Sequence, residues 1–345
     1  MRGCGMQSKR GLGRLRSAGA AGFAAGLLLL LPQLPVAAGE PLPSWREGGA
    51  REEILNFVGR VTDEASEDFL PSRERIAVFD HDGTLWAEKP LPFQFFFALD
   101  DLRRRAADHP DWQEKEPYKS LLSGDLESLG EEAEKAIAQM MAETHAGMTT
   151  EAFSRTVGAW IGSAQHPQRE VPYTDLVYQP QLELLDHLQA HGFTAFIVSG
   201  GGAGFMRVFA EETYGIPPHQ VVGSYGRVSY AQDAQGAPVL LKEPEMEFVD
   251  DGAGKAVGID RFIGQRPVIA VGNSDGDLEM LEYTAAGEGP RLAVLIHHDD
   301  GEREYAYARA DRLARLDRGL DKAAAEGWTI VSMKRDWLRI FRSKE

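Results

Sequence analysis

The sequence is nearly without cysteine: Cys4 is the single thiol in 345 residues. That excludes an intramolecular disulfide and a cysteine-built zinc centre. Excess positive charge is also missing. Against 37 Lys and Arg stand 53 Asp and Glu, a net charge of −16. Such a surface repels a phosphate backbone, so nucleic acid is not an expected partner. The apolar run Ala18 to Leu31 has 14 residues, where a spanning helix needs about 20. There is no internal repeat and no long low-complexity tract. What remains, 43 % apolar and 26 % charged side chains, excludes a disordered, collagen-like or coiled-coil chain. The length suits one large domain, or a core carrying a second module.

The first 38 residues read as an address. Arg2, Lys9, Arg10, Arg14 and Arg16 give a basic start with no acid, the 14-residue apolar run follows, and Pro32 and Pro35 end it before Val36, Ala37 and Ala38. This is the order of a cleavable secretory signal. Cleavage after Ala38 predicts an exported, periplasmic or secreted protein with no stable membrane span. It would remove Cys4 and take the net charge from −16 to −21.

Beyond that segment, apolar residues at helical spacing (Ile54, Leu55, Val58, Val61) predict a helix over 51–65. Ile76 to Phe79 is a short apolar run of buried-strand type. From Leu91 to about Glu170 the pattern is helical, with amphipathic stretches at Glu131 to His145 and Thr150 to Ser163. Strands and helices then alternate: a helix at Gln181 to His191, a strand at Thr194 to Val198, a helix at Ala203 to Tyr214, a short strand at Val221 and Val222. Val228 to Val249 reads as a hairpin-like excursion. Lys255 to Ile263 and Leu278 to Ala285 read as helices, and Val268 to Val271, Leu292 to Ile296 and Trp328 to Met333 as strands. The pattern predicts an α/β fold, a mostly parallel sheet with helices on both faces and an inserted helical segment.

Ligands of open parallel sheets bind beyond the carboxyl ends of the strands, and those ends carry the unusual residues. Asp80-His81-Asp82-Gly83-Thr84 follows the first strand, Ser199-Gly200-Gly201-Gly202 a second, and Gly272-Asn273-Ser274-Asp275-Gly276-Asp277 a later one, while Lys255 opens a helix. Each alone is weak, since Asp-Gly-Thr is a common turn and Ser199 an ordinary cap. Together they supply what phosphoryl transfer needs: a nucleophile, positive charge for the phosphate oxygens and a proton donor for the leaving group. Asp80 is the candidate nucleophile. Asp82, two residues on, is the candidate proton donor and later acceptor. Thr84, Ser199 and Gly200 offer hydroxyls and backbone amides to phosphate oxygens.

In these four segments, in order over residues 76–281, the sequence resembles the phosphatase branch of the haloacid dehalogenase superfamily, in particular the phosphoserine phosphatase group with its helical cap. The resemblance implies a Rossmann-like core at 39–89 and 176–345, a cap at 90–175 and a Mg²⁺-dependent phosphomonoesterase working through an aspartyl-phosphate. It implies Lys255 as the phosphate-neutralising lysine, with Lys242 a nearby competitor, and metal ligands at Asp80 and Asp82, the latter through its backbone carbonyl. Hard oxygen ligands suit that ion. One position departs from the pattern: Asn273 stands where the family usually has an acid. Asp277 keeps the second acid, and Asp275 is an added carboxylate that is an alternative ligand beside Asn273 and Asp277.

The expected substrate is a small organic phosphate, because a lid of that size obstructs a folded partner. Carbon–halogen hydrolysis is the less favoured reading, since it needs neither Asp82 nor a metal. A phosphotransferase or phosphomutase shares the core residues, and a non-catalytic periplasmic binding module is the third alternative. His81 reads as structural. His297 and His298, followed by Asp299 and Asp300, resemble a metal cluster, but neighbours on a strand face opposite ways and do not easily share one ion; they read as a polar loop, with a place at the pocket wall as the alternative. Trp86 and Glu88 are open between lining the substrate entrance and, respectively, packing and a solvated charge. Phe93 to Phe97 read as cap core. Oligomeric state is not encoded legibly.

Overall fold

A computed structural model describes residues 40–124 and 140–342. The expected signal at 1–38, Cys4 within it, and residues 131–139 of the expected helix at Glu131 to His145 lie outside the described residues.

Seven strands form one sheet: β1 (Ile76–Phe79), β2 (Thr194–Gly202), β3 (Val221–Gln232), β4 (Pro238–Phe248), β5 (Ile269–Gly272), β6 (Leu292–His297) and β7 (Thr329–Ser332). Their order is β4-β3-β2-β1-β5-β6-β7, all parallel except β4, which runs against β3. Side chains alternate between faces along each strand. Ala77, Phe79, Ile197, Ile269, Val271, Val294 and Ile296 enter one apolar core. Ile76, Val78, Val198, Ala270, Ala293 and Leu295 enter the other. Both faces are therefore covered, which is why these strands read as continuous apolar runs and not as alternating ones.

The helices are α1 (Gly49–Thr62), α2 (Phe93–Arg105), α3 (Tyr118–Ser123), α4 (Thr150–Ile161), α5 (Gln179–Ala190), α6 (Ala203–Met206), α7 (Ala210–Tyr214), α8 (Ala253–Gly258), α9 (Leu278–Ala285), α10 (Arg318–Glu326) and α11 (Met333–Asp336). Ile54, Phe57, Val58 and Val61 of α1 cover the first face. Met280, Leu281 and Ala323 of α9 and α10 cover the second. From β1 the chain winds one way through β2 and β3, then returns to β5 and winds the other way. The crevice between the carboxyl ends of β1 and β5 is thus the topological switch point, where open α/β sheets bind ligands.

Three local expectations change. The helix expected over Ala203 to Tyr214 is two short helices, because Val208 and Phe209 make tighter backbone bonds to Phe205 and Met206, and the Arg207 guanidinium is taken by the Val221 carbonyl. β2 continues through the glycines to Gly202, with a bulge between Ser199 and Gly202. The short strand at Val221 is the start of a 12-residue one, paired first with β2 and then, as a hairpin, with β4.

Between β1 and β2 the described insert is helical. Its outgoing and returning chains run side by side: Trp86 bridges Val177, Ala87 N–H donates to Leu176 O, and Tyr178 N–H donates to Leu85 O. Phe93 and Phe97 are buried, and Phe97 packs against Phe153, Trp160 and Phe205. A buried charge fixes the same helix. Asp101 is 4 % exposed and meets Arg104, Arg105 and, at 3.2 Å, His145 Nε2. Burial favours the protonated acid, but the hydrogen bond and charge of His145, with Arg105 and Arg104, outweigh it and hold the carboxyl down at about 2.

Because that folded value lies below the unfolded one, the stabilisation is present above about pH 4 and disappears as pH falls through about 2. Asp101→Asn should cost about 2 kcal/mol at pH 7, read as a lower urea midpoint, with the deficit vanishing in that acid window. A wild-type midpoint at pH 7 would contradict this.

Candidate active site

The site assembles on the loops after β1 and β5. Asp80 follows β1, and its N–H donates to Val271 O of β5 at 2.9 Å, so the strand pairing carries the side chain to the sheet edge. Lys255, on the first turn of α8, reaches back with its ammonium to Asp80 Oδ1 at 2.6 Å and also contacts Asp277 Oδ1. All three side chains are buried. Asp277 Oδ2 accepts from the backbone N–H groups of Asn273 and Ser274 at 2.8 and 2.9 Å. The loop closes tightly enough that a Cβ on Gly272 would lie 2.5 Å from the Asp277 Cβ; only glycine fits there.

Asp82 keeps some access, with 18 % of its side chain exposed, and its Oδ1 accepts from Trp86 Nε1 at 2.7 Å. Trp86 is fully buried against Phe93 and Phe209, so its role is packing plus one donor to Asp82. Thr84 is buried and donates to Asn273 Oδ1 at 3.0 Å. Gly83 turns the loop at φ 78°, and a Cβ there would meet Asn273 Nδ2 and Glu88 Oε1 at 2.1 and 2.3 Å.

The glycine-rich end of β2 faces the same mouth. The Asp251 side chain lies beside the Cα of Gly200 and of Gly276, linking the two loops. Ser199 is buried, and its hydroxyl accepts from Gly201 N–H at 3.2 Å. The Gly200 carbonyl accepts from Ser224 Oγ at 2.8 Å. The insert also reaches this loop: Gln94 Oε1 of α2 accepts from Gly202 N–H at 2.7 Å.

The electrostatics follow from burial. Desolvation, then the Asp277 charge, push Asp80 well above the usual carboxylate range against the pull of Lys255. Burial pushes Asp82 up to about 6, opposed by the Trp86 hydrogen bond and Lys255. Burial alone would lower Lys255, but Asp277 and Asp80 hold it raised and charged. Asp250, buried near Ser199, is pushed up to about 7 by desolvation, against the charge of Lys255. His81 is lowered to about 3 by burial and then Lys255. It sits as a neutral ring bonded to Tyr214 at 3.0 Å and packed on Trp86, which is a structural place.

Asp80, Asp82, Thr84, Lys255, Asn273 and Asp277 are therefore one contiguous group, with Ser199 and Gly200 at its rim. Asp275 is not part of it. Its Oδ1 accepts from the backbone of Asp317 and Gly319 at 3.1 and 2.9 Å, and its Oδ2 from Arg318 N–H at 3.3 Å. A helical turn over Asp275–Asp277 sets the two carboxylates in different directions. Asp277, expected as a metal ligand, has both oxygens in contact here with Lys255 and the loop amides. Lys242, the competitor of Lys255, packs over the Phe153 ring of the insert instead.

Several contacts were not legible beforehand. Glu88 is 5 % exposed, not a solvated charge, and accepts from Asn273 Nδ2 at 2.8 Å and Tyr307 OH at 2.7 Å. Burial raises its carboxyl well above the usual range, with the Tyr307 bond opposing. His298 Nε2 lies 2.7 Å from Gly83 O and its Nδ1 3.2 Å from Glu304, so it braces the first loop from behind. His297 is half-buried, beside Asp299. Among the described residues, no three His, Cys, Asp or Glu side chains converge as a ready metal-binding group. Oxygens suited to a hard cation are nonetheless present at Asp80, the Asp82 carbonyl and Asn273. The Lys255 ammonium is paired with two buried carboxylates, Asp80 and Asp277, and Asp82 adds a third nearby. A small hard cation held by few protein oxygens fits that imbalance.

A family model for haloacid dehalogenase-like hydrolases matches residues 77–282. The chain belongs to that family, and is an enzyme of the hydrolase class. No curated protein matches the sequence. Among solved structures, it is similar to a conserved, functionally unknown protein from Anaerococcus prevotii (16 % identity, TM-score 0.46, covering 81 % of this chain and 90 % of that one). A protein of unknown function from Bordetella pertussis is similar at 14 % identity and TM-score 0.46, over 75 % and 98 % of the two chains. A phosphoserine phosphatase with a phospho-aspartyl intermediate analogue is similar at 15 % identity and TM-score 0.33, over 65 % and 86 %.

Lys255→Met should leave Asp80 and Asp277 buried without a countercharge, at a cost of about 3–5 kcal/mol at pH 8. Without Lys255, Asp80 then holds its proton to higher pH in the folded state, so the deficit should shrink toward pH 5. Chemical unfolding at the two pH values measures this; an equal deficit at both would contradict it.

Proposed function

We propose that this chain is an exported, Mg²⁺-dependent phosphomonoesterase acting on small organic phosphates through an aspartyl-phosphate. The observation that carries the reading is the Lys255 ammonium held 2.6 Å from Asp80 at the switch point of the sheet, with the more accessible Asp82 two residues on.

Asp80 attacks phosphorus in line, forming the O–P bond as the ester O–P bond breaks. Asp82, whose raised pKa keeps a proton available near pH 6, delivers it to the leaving alkoxide. Asp82 then accepts a proton from water as that water attacks phosphorus, releasing phosphate and restoring Asp80. Lys255 holds Asp80 in place and neutralises charge on the phosphate. Ser199 and the amides near Gly200 are placed to receive phosphate oxygens. When bound, Mg²⁺ would be held by Asp80, the Asp82 carbonyl and Asn273 and would supply further positive charge to those oxygens. Asp82 favours phosphate esters over carbon–halogen substrates, whose halide leaving group needs no proton.

The insert supports a small substrate. Gln94 touches the glycine loop, so α2 stands over the mouth, and a lid there excludes bulk water. No helix among the described residues is long and apolar enough to cross a membrane. Export rests on the basic, apolar and small-residue order of residues 1–38. Leu42 and Trp45, just past the proposed cleavage at Ala38, are buried in the core.

The test is hydrolysis of para-nitrophenyl phosphate by residues 39–345, with Mg²⁺ and with excess chelator. Turnover should need the cation and vanish in Asp80→Asn. Asp82→Asn should slow turnover of an alkyl phosphate by about 10²–10⁴-fold, while the first burst of para-nitrophenol from para-nitrophenyl phosphate should be much less affected, because that leaving group departs without a proton. Chelator-resistant turnover, or an active Asp80→Asn, would overturn the reading.

A further inference from the structure

We infer that Glu88 is a positioning residue of the cation site, supplying from behind Asn273 the negative charge that Asn273 itself lacks. The inference rests on the cation-dependent reading above.

Asn273 is neutral, yet it occupies the loop where a carboxylate is expected. Its amide is gripped at both ends. Nδ2 donates to Glu88 Oε1 at 2.8 Å, and Oδ1 accepts from Thr84 Oγ1 at 3.0 Å. Threonine can donate or accept, so it does not decide which way an amide points. Glu88 Oε1 already accepts from the Tyr307 hydroxyl, so it acts as an acceptor and Glu88 does decide: the nitrogen faces Glu88 and the oxygen faces Thr84. The orientation has little freedom. Asn273 Nδ2 and Glu88 Oε1 both fill the space a Cβ on Gly83 would take, and the Gly83 carbonyl is held by His298 at 2.7 Å. Tyr307 stacks on His298 and donates to the same Glu88 oxygen at 2.7 Å.

Glu88 also lacks a cation of its own. The adjacent Lys89 ammonium pairs with Asp311 at 2.7 Å and lies over the Tyr307 ring. Among the described residues Glu88 has no ion pair, only the neutral donors Asn273 and Tyr307. With a cation at the oxygen end of the amide, a carboxylate at the nitrogen end polarises it and makes that oxygen a stronger donor to the cation. The Glu88–Asn273 pair thus sets an amide oxygen beside Thr84 with a carboxyl group one hydrogen bond behind it.

The pair should be exchangeable. The full-length, metal-free protein is titrated with Mn²⁺, and Kd is read by calorimetry or from the free-ion electron paramagnetic resonance signal. Glu88→Gln should weaken Mn²⁺ binding by about 10–100-fold. Asn273→Asp alone sets two buried carboxylates against each other and should lower the metal-free melting temperature. Glu88→Gln combined with Asn273→Asp restores one charge and one amide in swapped places. It should recover the melting temperature and bring Kd to within a few-fold of wild type. A purely structural Glu88 would not produce this recovery of cation affinity. Affinity unchanged in Glu88→Gln, or a double variant that binds no better than Glu88→Gln, overturns the inference and leaves the proposed hydrolysis standing if wild type binds Mn²⁺ and turns over. Wild type that neither binds Mn²⁺ nor hydrolyses phosphate esters overturns both.

Discussion

Lys255 Nζ lies between Asp80 and Asp277, and nearly everything around the site serves to hold one ammonium among buried carboxylates. A buried charge persists only when it is paired and its remaining hydrogen-bonding groups are met. Asp277 meets that demand by tying its second oxygen to two loop amides, so the lysine also fixes the loop after β5. Asp80 meets it by extending the β1–β5 pairing, so the lysine also fixes the loop after β1. The two loops flank the crevice where the winding of the sheet reverses. The buried charge cluster and the switch-point crevice are thereby the same place.

Around that centre a second layer of contacts binds the first loop to distant parts of the chain. Gly83 has Asn273 and Glu88 against its Cα and His298 on its carbonyl. His298 is in turn held by Glu304, which also accepts from Tyr178. Tyr178 lies where the chain returns from the insert and pairs with Leu85. The entry and exit of the insert are therefore wired to the loop that carries Asp80 and Asp82, and Gln94 of α2 contacts the glycine loop directly. These bonds tie the described insert to the geometry of the loop after β1.

What the sequence made legible was local. Ile76 to Phe79 reads as a strand because four consecutive buried residues precede a charged turn, and Leu278 to Ala285 as a helix because its apolar spacing is regular. The strand-end motifs were visible because their residues are close in sequence. The contacts that define their surroundings were not: Glu88 lies 185 positions from Asn273, His298 215 from Gly83, and Tyr307 219 from Glu88. No periodicity encodes such pairs. Asp275 and Asp277 show a subtler limit. On an extended strand, residues two apart share a face, whereas in a helical turn they diverge. Their sequence alone does not say which applies, and the turn after Ser274 sends Asp275 to the 317–319 loop.

The central claim is that Asp80 becomes covalently phosphorylated. The most direct measurement is borohydride trapping during turnover of para-nitrophenyl phosphate, which reduces an acyl phosphate to an alcohol, followed by peptide mass spectrometry. Homoserine is expected at position 80, only when substrate is present. Sustained turnover with Asp80 unmodified, or with the reduction mapped to another carboxylate, would contradict it.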